Sequence, residues 1–153
     1  MMTIDEIMTT DPITLAPDAA LNEVGKLMLE HRIRHVPIVD GGNKLLGLVT
    51  QRDLLAAADD NSTQPTSSVM RTDLYTISIE DDMRAAGLLM QQHKIGSLPV
   101  MDGDKLVGII TDSDYVSFAI NLLEQLDETN PLDNDDFDEL GDVGGFKPDD
   151  QEF

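Results

Sequence analysis

The chain reads as an α+β protein of two β-α-β-β-α units, packed sheet to sheet about a pseudo-twofold axis and followed by an acidic C-terminal tail. Three observations predict this. The stretch Gly47-Leu48-Val49-Thr50-Gln51-Arg52-Asp53 returns as Gly108-Ile109-Ile110-Thr111-Asp112-Ser113-Asp114. The likeness continues on the N-terminal side of it, at an offset of 62 residues before the first hairpin turn and 61 after it. Within each copy, short apolar runs bounded by Gly and Asp alternate with a segment whose apolar residues recur at helical spacing.

The matched positions include Met8/Met70, Thr10/Thr72, Asp11/Asp73, Gly25/Gly87, His31/His93, Ile33/Ile95, Pro37/Pro99, Lys44/Lys105 and Gly47/Gly108. Roughly a third of the aligned residues are identical, far above chance, so the unit is duplicated. That excludes most single-copy enzyme folds. Ile13-Thr14-Leu15 is a short extended stretch, and Asp18 is the candidate N-cap of a helix whose Leu21, Val24, Leu27 and Met28 share one face. Val36 to Val39 is a strand, with Pro37 expected at its start or on an edge. Asp40-Gly41-Gly42-Asn43 makes the hairpin turn, with the glycines expected to take positive φ. Leu45 to Val49 pairs with the preceding strand, and Gln51 to Ala58 closes the unit as a helix. The second copy repeats this with Met83 to Gln92, Leu98 to Met101, Leu106 to Ile110 and a longer helix from Asp112 towards Leu126. The expected organisation is a first repeat over 1–58, a polar linker over 59–66, a second repeat over 67–126 and a flexible tail over 127–153. Three strands make too small a sheet to stand alone, which is why the two units should bury their sheets against each other.

The formal net charge is −20, which argues against nucleic acid as a partner, since that binding rests on Lys and Arg neutralising phosphates. The tail from Asp127 carries eleven acids and one lysine, about half of the excess. It reads as a solvating segment or a partner-docking one. There are no cysteines, so neither disulfides nor thiolate metal sites are expected. No apolar run approaches the ~20 residues of a membrane span, and residues 1–6 do not read as a secretory signal. The expectation is a cytoplasmic protein with no membrane insertion.

Thr50…Asp53 and Thr111…Asp114 each put a hydroxyl and a carboxylate at a strand-to-helix junction. One reading is a capping box, although Asp is short for the reach back to the cap amide and Glu would serve better. The other is a ligand site. A carboxylate accepts from two vicinal hydroxyls, and a helix N-terminus suits a phosphate. His31 and His35 are four apart, but the helix should end between them, so no metal site is expected. His31 and His93 are expected to cap the ends of their helices.

Met8-Thr9-Thr10-Asp11-Pro12, His31 to Asp40 and Gly47 to Asp53, with their second copies, resemble the CBS domain family in its tandem (Bateman) arrangement. The resemblance covers about residues 4–120. It implies a non-catalytic regulatory module that binds an adenosine nucleotide (AMP, ADP or ATP) between the repeats and signals to an effector protein. S-adenosylmethionine is the alternative ligand, and a docking module without ligand is the alternative role. No cofactor is required. The resemblance places Asp53 and Asp114 on ribose hydroxyls, with Thr50 and Thr111 nearby. It lines the adenine slots with Thr10, Pro12, Ile13, Ile33 and Val36 in one copy. In the other they are Thr72, Leu74, Tyr75, Ile95 and Leu98. The copies differ where charge matters: Arg34, His35 and Arg52 correspond to Gly96, Ser97 and Ser113. This predicts an asymmetric cleft whose phosphates are held by Arg34, His35 and Arg52. The family also implies a homodimer through exposed helices, with Ala85, Ala86, Leu88 and Leu89, or Leu54, Leu55 and Tyr115, as candidate contacts.

Overall fold

The computed structural model describes residues 2–57 and 63–129. Half of the linker and nearly all of the acidic tail therefore lie outside the described residues. The chain divides into two compact units, Met1–Tyr115 and Val116–Phe153. The first contains both copies of the repeat up to the start of the last helix.

The first copy supplies β1 (Thr9–Thr10), α1 (Leu21–His31), β2 (His35–Val39), β3 (Leu45–Thr50) and α2 (Gln51–Ala56). The second supplies β4 (Ile77–Ser78), α3 (Met83–His93), β5 (Ser97–Asp102), β6 (Lys105–Thr111) and α4 (Asp112–Thr129). From Val116 onward the described part of the second unit is the remainder of α4, with Val116, Ile120 and Leu123 exposed.

Each copy has its own core. Leu21, Val24 and Met28 of α1 bury against Val36, Ile38 and Val49 of the β2–β3 hairpin. Ala86 and Met90 of α3 bury against Ile77, Leu98, Val100 and Ile110. Side chains alternate along a strand, so Leu48 and Ile109 point away from these helix-side cores, yet both are buried. That is the expected consequence of sheet-to-sheet packing.

The three-strand expectation is incomplete, because each copy lends a strand to the other. β1 lies antiparallel to β6, with Thr9 opposite Ile109 and Thr10 opposite Gly108. The first copy receives the matching segment: the Arg71 amide donates to the Leu48 carbonyl at 2.9 Å, and Leu48 returns the bond at 3.0 Å. Ile4 is consequently buried in the second core, while Val69 and Met70 pack against the first. Thr3 pairs with Asp82 and Ala20 with Pro65, and Lys44 faces Lys105. Each of these contacts maps onto its counterpart, or onto itself, when the copies are interchanged, which is the pseudo-twofold axis.

Several local expectations are corrected. The N-cap of α1 is Ala20, not Asp18, and the exchanged segment serves the first helical amide, Leu21 N donating to the Gln64 carbonyl at 2.8 Å. In α3 the cap is a side chain, Asp82 accepting from the Ala85 amide at 2.7 Å. Positive φ falls on Asn43 in the first hairpin turn and on Gly103 in the second, not on Gly41 or Gly42. The edge expectation for Pro37 stands: it sits mid-strand opposite Leu48, but β2 is an edge of the two-stranded β2–β3 sheet. The Pro37 carbonyl accepts from Leu15 N at 3.2 Å, so its missing N–H faces the same neighbour and limits that pairing to Leu15. Arg32 and Lys94, both left-handed, end α1 and α3, where their amides reach the Met28 and Met90 carbonyls. His31 and His93 do not cap. His93 stacks on Tyr75, with ring centroids 3.9 Å apart.

The exchanged segments explain the glycine of the repeated stretch. A Cβ at Gly47 would lie 2.6 Å from Met70 Sδ and 2.9 Å from the Arg71 carbonyl oxygen. One at Gly108 would meet Met8 Sδ and the Thr9 carbonyl. Gly47→Ala should therefore destabilise the protein by about 1–3 kcal/mol, the usual cost of overpacking against backbone that cannot yield. Gly41→Ala, with nothing within 4 Å of the added carbon, is the neutral control in the same denaturant titration.

Candidate functional site

The two Thr-x-x-Asp junctions are built alike and used differently. At the start of α2, Thr50 Oγ1 accepts from the Asp53 amide at 3.1 Å and Asp53 Oδ2 accepts from the Thr50 amide at 3.1 Å, so Asp closes a complete capping box despite its short reach. The other carboxylate oxygen, Oδ1, accepts a hydrogen bond from Arg71 Nε at 2.9 Å and lies 2.9 Å from one terminal guanidinium nitrogen, an ion pair. Arg71 arrives on the exchanged segment of the second copy. At the start of α4, the Thr111 amide and hydroxyl both donate to Asp114 Oδ2, at 2.8 and 3.3 Å. The residue matching Arg71 in the other copy is Thr9, so no cation is delivered there.

A cavity of about 480 Å³ opens between the copies beside the first junction. From the first copy it is lined by Arg34, His35, Leu48, Thr50, Gln51 and Arg52, and from the second by Arg71, Asp73, Leu74, Tyr75, Lys94, Ile95, Gly96, Ser97 and Asp112. The structure thus gathers nine of the predicted residues: Arg34, His35, Thr50, Arg52, Leu74, Tyr75, Ile95, Gly96 and Ser97. Asp53 is not part of the lining; it sits behind Arg71 with its side chain only 11% exposed. Thr72 lines a separate cavity of about 520 Å³ with Lys44 and Asp104. Thr10, Pro12, Ile13, Ile33, Thr111, Ser113 and Asp114 do not line the first cavity. Val36 and Leu98 are wholly buried, so their side chains are core rather than slot.

Two cations went unpredicted, Arg71 and Lys94, as did the acids Asp73 and Asp112. A signal existed for Arg71, because it stands against Thr9 in the repeat alignment, the same kind of divergence that singled out Arg34 and Arg52. Lys94 stands against Arg32, and a conserved sign between copies raises no flag. With four cationic and two acidic side chains in its wall, the cavity is locally positive in a chain of net charge −20. Arg34 reaches Asp112 at 3.7 Å, but both are more than half exposed, and such a pair holds neither side chain firmly. Tyr75, backed by His93, offers a flat ring in the wall.

Two groups here carry displaced pKa values. Burial pushes the Asp53 carboxyl up, but the hydrogen bonds from Thr50 and the Arg71 guanidinium outweigh it and hold the group below its ordinary value, ionised. His35 is lowered from 6.5, first by burial and then by Arg34, with Asp112 and Asp53 pulling the other way. His35 is therefore a neutral hydrogen-bonding group at pH 7, not the cation its grouping with Arg34 suggests. Among the described residues, no cluster of three or more His, Asp or Glu side chains could hold a metal ion. No helix among them is long and apolar enough to cross a membrane.

The CBS domain model matches residues 4–60 and again 67–121. Among curated proteins, the CBS domain-containing protein YhcV of Bacillus subtilis is 33% identical over 138 residues, covering 88% of this chain and 95% of the relative. Homoserine O-acetyltransferase of Methanocorpusculum labreanum is 34% identical over 111 residues, and the match covers 72% of this chain but 23% of that enzyme. The chain thus spans about a quarter of the length of such enzyme-named relatives. A solved structure from Vibrio cholerae, provisionally named an acetoin utilization protein (AcuB), is 47% identical with a TM-score of 0.78, covering 84% of this chain and 97% of that one. The CBS domain pair of protein MJ0100, solved with 5′-methylthioadenosine and S-adenosyl-L-methionine, is 26% identical with a TM-score of 0.73, covering 79% and 98%.

The depressed His35 pKa has a consequence for stability. The unfolded chain takes up a proton near pH 6.5 while the folded chain still refuses it, so the stability present above that pH is lost as pH falls through 6.5 towards the folded value. Thermal melts between pH 7 and 5 should fall more steeply for the wild type than for His35→Gln. Parallel slopes would place the imidazole in a solvated setting instead.

Proposed function

The chain belongs to the CBS domain family, and on that footing we propose that it is a non-catalytic regulatory module whose cavity between the repeats takes a phosphorylated adenosine nucleotide. The observation that carries the reading is the conjunction of Arg34, Arg52, Arg71 and Lys94 with the apolar and aromatic wall of Leu74, Tyr75 and Ile95. The base takes the apolar wall; the phosphates take the guanidinium groups, which suit paired oxygens. Neutral His35 donates or accepts without adding charge. Neutral 5′-methylthioadenosine, bound by the MJ0100 pair, would leave this cationic cluster unanswered. S-adenosylmethionine, which that pair also binds, is the second reading, with its carboxylate as the anionic group.

Occupancy would be signalled to an effector protein. A homodimer through exposed helices is part of the same proposal, with changes to the contacts. Ala86 is wholly buried, Leu54 and Leu89 pack on the cores, and Tyr115 donates to the Met83 carbonyl at 2.5 Å. Leu55 and Leu88, 70% and 42% exposed, keep apolar area available. The lack of cysteine fits a cytoplasmic setting.

The test is a thermal-shift and titration panel of AMP, ADP, ATP and S-adenosylmethionine. A ligand at ~100 Kd should stabilise the protein by ~2.7 kcal/mol. Arg34→Ala and Arg52→Ala should each weaken AMP by about tenfold or more, the scale of a lost charge-assisted bond, and weaken adenosine far less. Equal losses for AMP and adenosine would remove the phosphate assignment. No shift with any ligand would leave a docking module in its place.

A further inference from the structure

We propose that Arg71 is a phosphate-operated latch on this cavity, so that the ligand's phosphate releases the carboxylate that its ribose needs. The proposal rests on the nucleotide reading above and adds to it how the site discriminates.

Asp53 is spoken for on both oxygens. Oδ2 closes the capping box with the Thr50 amide, and Oδ1 accepts from Arg71 Nε and is ion-paired with the same guanidinium. A ribose can pair its hydroxyls with Asp53 only by displacing the guanidinium. The carboxylate is nearly buried and held ionised, so stripping its cation without replacement is costly. Arg71 is differently placed. Its backbone is fixed by the two bonds to Leu48, but its side chain is 59% exposed and lines the cavity. It can turn from Asp53 to an anion in the cavity without moving the strand that carries it. A phosphate offers the guanidinium two oxygens where Asp53 offers it only Oδ1, and a paired-oxygen acceptor is the geometry a guanidinium fits best. The exchange then leaves no hydrogen-bonding group unserved: Arg71 passes to phosphate, and Asp53 accepts from the ribose hydroxyls. Adenosine supplies the hydroxyls but no anion, so Arg71 stays and the hydroxyls find the acceptor occupied. At the other junction, Thr9 stands where Arg71 would, and among the described residues Asp114 is bonded through Oδ2 to Thr111 alone. The latch belongs to one copy.

The experiment is isothermal titration of the full chain with AMP and with adenosine, for wild type and for Arg71→Thr, the residue the other copy carries. The wild type should prefer AMP strongly. Arg71→Thr should bind adenosine about tenfold tighter than wild type does and AMP more weakly, collapsing the preference. Arg71→Gln, which removes the charge but keeps more of the side chain than Thr does, should do the same if Arg71→Thr disturbs folding. A loss of adenosine affinity in the variants, or no change in it, overturns the latch while leaving the nucleotide reading intact. Failure of AMP to bind the wild type overturns both.

Discussion

Each sheet of this protein is completed by backbone from the other copy, and the close approach that permits it is made over Gly47 and Gly108. A two-residue strand such as β1 has little stability of its own. It persists because Ile4 is buried in the second core and because the pairing to Gly108 and Ile109 satisfies backbone groups of β6 that would otherwise face water. The same arrangement, inverted, brings Val69 and Met70 to the first core and places Arg71 beside Leu48. The exchange thus builds the sheets and the cavity together. It fixes Leu74 and Tyr75, only a few residues beyond Arg71, against Thr50 and Arg52 of the other copy, which is how a cavity with walls from both copies comes about.

Much of this was legible, and the parts that were not share a cause. The duplication, the hairpins and the principal helices are written in local periodicity, because helix and strand faces are set by residues three to four or two apart. The exchange is not local. Thr9, Thr10 and Arg71 show no alternation and are exposed, and their pairing depends on residues 100, 98 and 23 positions away. Asp18 has the residue type of a cap, yet the helix starts three residues after it and its first amide finds its acceptor in Gln64. Pro37 sits in the middle of its strand, yet β2 is an edge of the two-stranded β2–β3 sheet, met on its outer side, among the described residues, only by the single Leu15–Ile38 bridge, so the edge expectation holds.

At the site, comparison of the two copies was the more informative instrument. Arg34, His35 and Arg52 stood out because their counterparts are uncharged, and the structure gathers all three in one cavity wall. Arg71 carried the same signal against Thr9 but lay in a segment with no visible role until its pairing was known. Asp53 and Asp114 are indistinguishable in sequence, each three residues after a threonine, and the sequence assigned them one role. Their surroundings differ by a single cation delivered from elsewhere in the fold. His35 shows the opposite failure: its neighbours suggested a cation, and burial makes it neutral.

The acidity of the chain and the basicity of the cavity act on different length scales. The Debye length is about 8 Å at physiological ionic strength, so the charge of remote acids is largely screened at the cavity mouth. The contacts of Arg34, Arg52, Arg71 and Lys94 act over a few ångströms, inside that length and partly out of water, where screening is weakest. A negatively charged ligand therefore meets a weak long-range repulsion that slows its approach, and a strong short-range attraction that governs its escape. Sites of this kind discriminate through the bonds made at contact, since remote acids repel all ligands of like charge in much the same way. Within that short range, the number of cations matters less than whether each has another partner to leave. Arg52 and Lys94 have no carboxylate in hand among the described residues, Arg34 has a loose one in Asp112, and Arg71 has a tight one in Asp53. The order in which these side chains turn to a ligand follows from that ranking, with Arg71 the last to move and the one whose movement exposes a new acceptor.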